Sequence, residues 1–182
     1  MQSKNLPESL KDSQCVFSGK KFDVRVVNVV GKSGYPIRRE AVIHPGAVVI
    51  LPILDKERIV MIRNERFAIG KTIWELPAGT LEPGEPPEIT AGRELIEEIG
   101  YQAGNIELLS TFYVSPGISD EVMYSYVAKE LTHVGQHLEE TENITVEILA
   151  YDKALEMVRD GTICDAKTIN TLLFYHSFFY SR

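Results

Sequence analysis

A single helical pattern, Glu88–Ile99, stands among runs of β-type residues, and it constrains the fold more than any other feature of the chain. Gly100 follows where a helix-ending glycine belongs. On a wheel of about 100° per residue with Glu94 at zero, Glu97 falls near −60° and Glu98 near +40°. Three carboxylates therefore share one arc. Leu95, Ile99, Gly92, Ile96 and Ile89 occupy roughly the opposite half, the face a sheet is expected to cover. Arg93 lies at the edge of the acidic arc, placed to pair with one carboxylate.

A solvated acidic face is the plainest account of such an arc, but two features oppose it. Like charges three and four residues apart repel, and no alternating lysines relieve them. Glu97 and Glu98 also lie near the helix C-terminus, where the macrodipole disfavours negative charge. Something cationic should compensate. Carboxylate oxygens without nearby His or Cys point to a hard ion, Mg²⁺ or Mn²⁺.

Around this helix the chain reads as strands at Phe22–Val30, Ile37–His44, Ala47–Leu54, Arg58–Arg63, Ile106–Val114, Glu121–Ala128 and Ile144–Ala150. Gly31-Lys32-Ser33-Gly34-Tyr35-Pro36 reads as a hairpin turn. The segment from Pro77 to Pro87 is a loop rich in Gly, Pro and acid. Two further helical stretches, Asp152–Asp160 and Ala166–Phe178, close the chain. The pattern predicts a mixed sheet sandwiched between helices. A length of 182 residues fits one such domain. The expected organisation is a polar N-terminal arm (1–21), an N-terminal β extension (22–45) and the main domain (46–182).

Charge and cysteine content narrow the function. Acidic residues outnumber basic ones, 26 to 19, for a net charge of −7, which disfavours nucleic acid as a partner. Cys15 and Cys164 make no disulfide framework and read as free thiols of a reducing compartment. The first fourteen residues have no apolar core of a signal peptide, and no apolar window is long enough to span a membrane. The cytoplasm is the expected location. His44, His133, His137 and His176 show no metal-ligand spacing.

The stretch Gly79–Tyr101, GTLEPGEPPEITAGRELIEEIGY, resembles the Nudix box, G-x5-E-x7-R-E-U-x-E-E-x-G-U, where U is bulky and apolar. Gly79, Glu85, Arg93, Glu94, Leu95, Glu97, Glu98 and Gly100 match, and Tyr101 is an aromatic departure at the last position. The resemblance extends over most of the chain from about residue 22. Ile73-Trp74-Glu75-Leu76-Pro77-Ala78-Gly79 looks like the entry to the box in the ADP-ribose pyrophosphatase branch. Pro116, sixteen residues after Gly100 within Ser115-Pro116-Gly117-Ile118-Ser119-Asp120-Glu121, resembles the proline marker of that branch. Read alone, Ser-Pro-Gly is simply a turn.

This resemblance implies a Nudix α/β/α sandwich with a mixed sheet and an N-terminal β extension. It also implies hydrolysis of the pyrophosphate of ADP-ribose or a related nucleoside diphosphate sugar. Ala78 through its carbonyl, Glu94, Glu97 and Glu98 are the implied ligands of two or three Mg²⁺ or Mn²⁺ ions. Such ions would neutralise phosphate charge and lower the pKa of an attacking water. Arginine suits phosphate oxygens, so Arg63 and Arg66 are the expected phosphate contacts, and the branch favours Arg66. Ser115, Pro116, Gly117 and Glu121 complete the expected substrate-binding set. The base is expected in Leu138–Asn143, from Glu140 or Glu142, with the box residue Glu97 a further catalytic candidate. Phe22, Tyr35, Phe67 and Tyr113 are unranked candidates for stacking on the nucleobase. N-terminal strands of the branch pack on or swap with a second subunit, which implies a homodimer. The rivals are a broad or GDP-mannose-type sugar nucleotide hydrolase and a non-catalytic Nudix-like binding module.

Overall fold

The computed structural model describes residues 6–138, 140 and 142–180. After a 3₁₀ turn at Glu8–Leu10 the chain runs β1 (Gln14–Ser18), β2 (Asp23–Val30), β3 (Pro36–Ile43), β4 (Ala47–Pro52), β5 (Arg58–Arg66), β6 (Lys71–Glu75) and β7 (Ala78–Thr80). Helix α1 (Pro87–Ile99) follows, then β8 (Tyr101–Tyr113), β9 (Val122–His133), β10 (Ile144–Ala150), α2 (Tyr151–Arg159) and α3 (Ala166–Phe178). Three sheets form, ordered β1-β2-β3, β10-β5-β6 and β7-β4-β9-β8. β4 and β9 pair parallel while the other pairs are antiparallel, so the central sheet is mixed.

The run Ala47–Pro52 is buried throughout because both faces of β4 are covered. Alternation sends Val48 and Ile50 towards Ala91, Leu95 and Ile99 of α1. Val49 and Leu51 face Tyr151, Ala154 and Met157 of α2 and Leu172 of α3. Helices therefore lie on both faces, an α/β/α arrangement with a separate N-terminal sheet. That sheet joins the main body through Val42, whose N–H bonds Ile118 O at 2.8 Å, and through His44 N–H to Asp120 Oδ1 at 2.8 Å.

Several local expectations change: β5 runs past Arg63 to Arg66, and β7 lies within the expected loop Pro77–Pro87. Part of the expected arm, residues 14–18, forms β1: every residue of it is exposed, so pairing with β2 rather than burial makes the strand. β8 begins at Tyr101 instead of Ile106, because pairing with β9 carries the polar start of the strand along. β9 likewise runs on to His133, past the expected end at Ala128. On α1, Ile89 is 59% exposed, whereas Glu94 and Glu98, expected on the open arc, are 7% and 3% exposed. The short strand β7 covers that edge of the helix: a Cβ on Gly79 would stand 1.9 Å from the Glu94 carboxyl.

Candidate active site

The acidic centre is built where α1 meets the link between β6 and β7. Pro87 opens the helix with its φ already suited to the first turn, and Gly100 closes it in the left-handed region at φ 73°. Between these ends Arg93 gathers the acids. Its Nη1 donates to Glu94 Oε1 at 2.8 Å and to Glu97 Oε2 at 2.7 Å, while Nε and Nη2 reach the two oxygens of Glu85 at 3.3 and 3.2 Å. One carboxylate partner was expected for Arg93, and it has three. Thr90 Oγ1 donates a further bond to Glu85 at 2.8 Å.

Glu98 is held differently. Its Oε2 accepts the backbone N–H of Ala78 at 2.8 Å, which ties the helix to the start of β7. Burial pushes the Glu98 carboxyl up to about 8; the Ala78 N–H opposes this, while Glu94 and Glu142 add to it. Burial likewise lifts Glu94 to about 7, against the pull of Arg93. Glu85 moves the other way, its carboxyl held below the usual range by Arg93. Burial works against the charge of Arg93, yet its carboxylate partners outweigh that and hold its pKa raised.

These residues suit a hard divalent cation by donor chemistry. Glu94 and Glu98 are buried oxygens forced towards neutrality, and a cation would restore their charged forms. Among the described residues no three His, Cys, Asp or Glu side chains are spaced to hold one ion, and Arg93 takes an oxygen of both Glu94 and Glu97.

The two arginines at the end of β5 separate. Arg66 shares a face with Ile62 and Asn64, on the α1 side, and Arg63 points to the opposite face, 5.7 Å from the centre of the Trp74 ring. Arg66 grips Glu75 with Nε at 2.6 Å and Nη2 at 2.5 Å. This bond holds the Arg66 pKa raised, with a smaller contribution from the nearby Glu98 charge. Glu142 lies close enough to raise both Glu94 and Glu98, whereas Glu140 is exposed in a turn. Glu139, on the same loop, lies outside the described residues. Ser115, Pro116 and Gly117 are exposed in the turn between β8 and β9, whose Ile118 bonds β3. Glu121 faces His44, with Oε1 3.8 Å from Nδ1. Phe67, at the tip of the β5–β6 hairpin, is almost wholly exposed, and Phe22, Tyr35 and Tyr113 are exposed elsewhere.

Two groups near this centre escaped the sequence reading. Glu75 is fully buried at the end of β6, and Lys167 of α3 binds it at 2.5 Å. An acid inside the apolar run Ile73-Trp74-Glu75-Leu76 was the available signal for the first. Gln136 was also missed: its Nε2 donates to Glu98 O at 2.6 Å, and His137 N–H bonds Glu97 O at 3.0 Å. Together they satisfy carbonyls at the C-terminal end of α1, just ahead of the segment carrying Glu142.

The family model described as NUDIX domain matches residues 43–172. An ADP-ribose pyrophosphatase of Bacillus subtilis is 40% identical over 167 residues, covering 91% of this chain and 90% of that protein. A methanol dehydrogenase activator of Bacillus methanolicus is 40% identical over 164 residues, covering 89% of this chain and 88% of that protein. Among solved structures, one titled crystal structure of ADP compounds hydrolase superposes with a TM-score of 0.81 at 22% identity, covering 92% of this chain and 91% of that one.

Proposed function

The chain belongs to the NUDIX family, and from that premise we propose that it hydrolyses the pyrophosphate bond of ADP-ribose or a related nucleoside diphosphate sugar, releasing a nucleoside monophosphate and a sugar phosphate. One observation carries the reading: Glu85, Glu94 and Glu97 converge on Arg93, while Glu98 is buried beside them on Ala78. An ordinary solvated face does not bury two carboxylates at 7% and 3% exposure.

Glu94, Glu97, Glu98 and the backbone of Ala78 are the proposed holders of Mg²⁺ or Mn²⁺, two or three ions per site. Bound there, the metal supplies charge neutralisation for the phosphates and a lowered pKa for water. Arg66 binds a phosphate oxygen with the part of its guanidinium not engaged by Glu75, and Ser115, Pro116, Gly117 and Glu121 form the wall towards the β8–β9 turn. The loop glutamate, Glu142 in preference to Glu140, takes the proton of water as the water oxygen bonds phosphorus and the bridging P–O bond breaks. The nearness of Glu142 to Glu94 and Glu98 supports this choice. Arg63 stands on the other face with Trp74 and is left out of the phosphate site.

We further propose a cytoplasmic homodimer joined through the N-terminal sheet. Val16, Phe17, Val30 and Ile37 are exposed apolar residues on its strands, which supports a partner there. The free thiols Cys15 and Cys164 suit a reducing compartment. No helix among the described residues is long and apolar enough to cross a membrane.

The rival, a non-catalytic Nudix-like nucleotide-binding module, draws its support from the relative named as an activator rather than as a hydrolase. Retention of Glu85, Arg93, Glu94, Glu97 and Glu98 favours catalysis. A panel of ADP-ribose, GDP-mannose, UDP-glucose, NADH and diadenosine polyphosphates, each with Mg²⁺, with Mn²⁺ and with excess EDTA, separates the two. Metal-dependent release of nucleoside monophosphate from ADP-ribose or another diphosphate sugar is expected. Undiminished turnover in EDTA would overturn the metal assignment, and no turnover of any diphosphate sugar would favour the binding module.

A further inference from the structure

Lys167 occupies a position that elementary electrostatics disfavours. It is the second residue of α3, where the helix dipole opposes positive charge, and its side chain is only 14% exposed although a lysine loses much rotamer freedom on burial. Two carboxylates hold it there: Nζ lies 2.5 Å from Glu75 Oε2 and 2.9 Å from Asp165 Oδ1. Asp165 is also the N-cap of α3, accepting from Thr168 N–H at 3.0 Å and Thr168 Oγ1 at 2.6 Å. Thr168 Oγ1 in turn accepts the Leu76 N–H at 2.9 Å. The first turn of α3 is thus fastened to Glu75 and Leu76, the residues that lead directly into Pro77, Ala78 and the acidic centre.

Glu75 is the hub of this chain of charges. It is fully buried and takes two bonds from Arg66 and one from Lys167. With Arg66 as its sole partner, the Glu75 charge would be spent entirely on that guanidinium. Lys167 and Asp165 enlarge the pair to a quartet of two cations and two anions. Removing the lysine leaves one surplus negative charge behind Arg66, in surroundings where water screens little.

We propose that Lys167 is a positioning residue for substrate phosphate: through Glu75 it orients the Arg66 guanidinium and preserves its positive field on the side of the acidic centre. The proposal rests on the reading of Arg66 as a phosphate contact. A purely structural ion pair would anchor α3 equally well, so the discriminating quantity is substrate affinity at constant fold.

The test measures kcat and KM for ADP-ribose with Mg²⁺, together with thermal midpoints, for Lys167→Met, Lys167→Arg, Arg66→Ala and the Arg66→Ala/Lys167→Met double variant. Lys167→Met is expected to raise KM roughly ten-fold, the scale of one charge-assisted hydrogen bond, with kcat changed by less than about three-fold. Lys167→Arg should restore KM. In the Arg66→Ala background, loss of Lys167 should add little, because it acts through the missing arginine. Should Lys167→Met fold poorly, the KM of Lys167→Gln decides in its place. An unchanged KM in the folded lysine variant beside a raised KM in Arg66→Ala overturns the proposal alone. An equal KM increase in both backgrounds also overturns it. An unchanged KM in Arg66→Ala overturns the phosphate reading of that residue, and the proposal with it.

Discussion

Replacing Glu98 by Gln should stabilise the chelator-treated protein at alkaline pH, and the size of the effect follows from the burial of its carboxyl. That group lies 3% exposed and its pKa rises from 4.5 to about 8. A raised carboxyl pKa means that the folded protein binds more protons than the unfolded chain between those values. Stability from this group is therefore fully present below about pH 4.5 and is lost as pH rises through about 8. The loss integrates to about 4 kcal/mol by pH 8, about half of it above pH 6. Glutamine keeps a carbonyl oxygen for the Ala78 N–H, now bonded at 2.8 Å, and carries no charge to desolvate. For a chain of this size about 1 kcal/mol moves the thermal midpoint by roughly 2–4 °C. Thermal unfolding in EDTA near pH 6 and near pH 8 should show the wild type losing roughly 4–8 °C more than the variant. Adding Mg²⁺ at the higher pH should raise the wild-type midpoint and move the variant less, by linkage to a weakened site. Parallel pH slopes for the two proteins would refute the argument, because they would show that Glu98 titrates normally in the fold.

Two further outcomes follow from the same site. Glu142→Gln should lower kcat by about 10²–10⁴-fold with little change in KM and flatten the acidic limb of the pH–rate profile, while Glu140→Gln stays near wild type; full kcat in both, and in the double variant, would remove the loop base. Gly79→Ala should cost about 1–3 kcal/mol in urea unfolding. Its Cβ would meet the Glu94 carboxyl at 1.9 Å, so the same substitution should also weaken Mg²⁺ binding in a calorimetric titration; unaltered Mg²⁺ affinity would show that Glu94 can move aside without consequence.

Much of this was legible in the sequence because it depends on local periodicity. The strand Ile144–Ala150 and the helix Ala166–Phe178 were delimited from their residues alone, and α1 was displaced by one residue at its start. The period-two rule also contained an unused distinction: Arg63 and Arg66 are three residues apart in one strand, so they must face opposite ways. The Glu75 network was beyond reach, since Glu75 and Lys167 are 92 residues apart in sequence and meet only after β5, β6 and α3 have assembled. The choice between Glu140 and Glu142 likewise depends on the path of the segment between β9 and β10. No local pattern in Leu138–Asn143 distinguishes the two acids.

The acidic arc shows what a helical wheel leaves out. Repulsion among Glu94, Glu97 and Glu98 calls for positive charge nearby, whatever covers the helix. That need is satisfied in part from within the box, since Arg93 bridges Glu85, Glu94 and Glu97. Helical periodicity grouped the three acids on one arc but left open what covers that arc, because a wheel contains only the helix. The strand β7, just three residues long, changes their surroundings by lying against the Glu94–Glu98 edge, with glycine at the point of closest approach. Burial then separates the acids by environment: Glu97 keeps a partly exposed carboxylate paired with Arg93, while Glu98 has a backbone N–H and a pKa raised to about 8. A site whose buried acids are held near neutrality gains most from a divalent ion, because binding relieves a desolvation cost that folding has already imposed. Arg93 makes no such bond to Glu98, so under the proposed reading a bound cation would relieve the most at Glu98, the most deeply buried of the three acids.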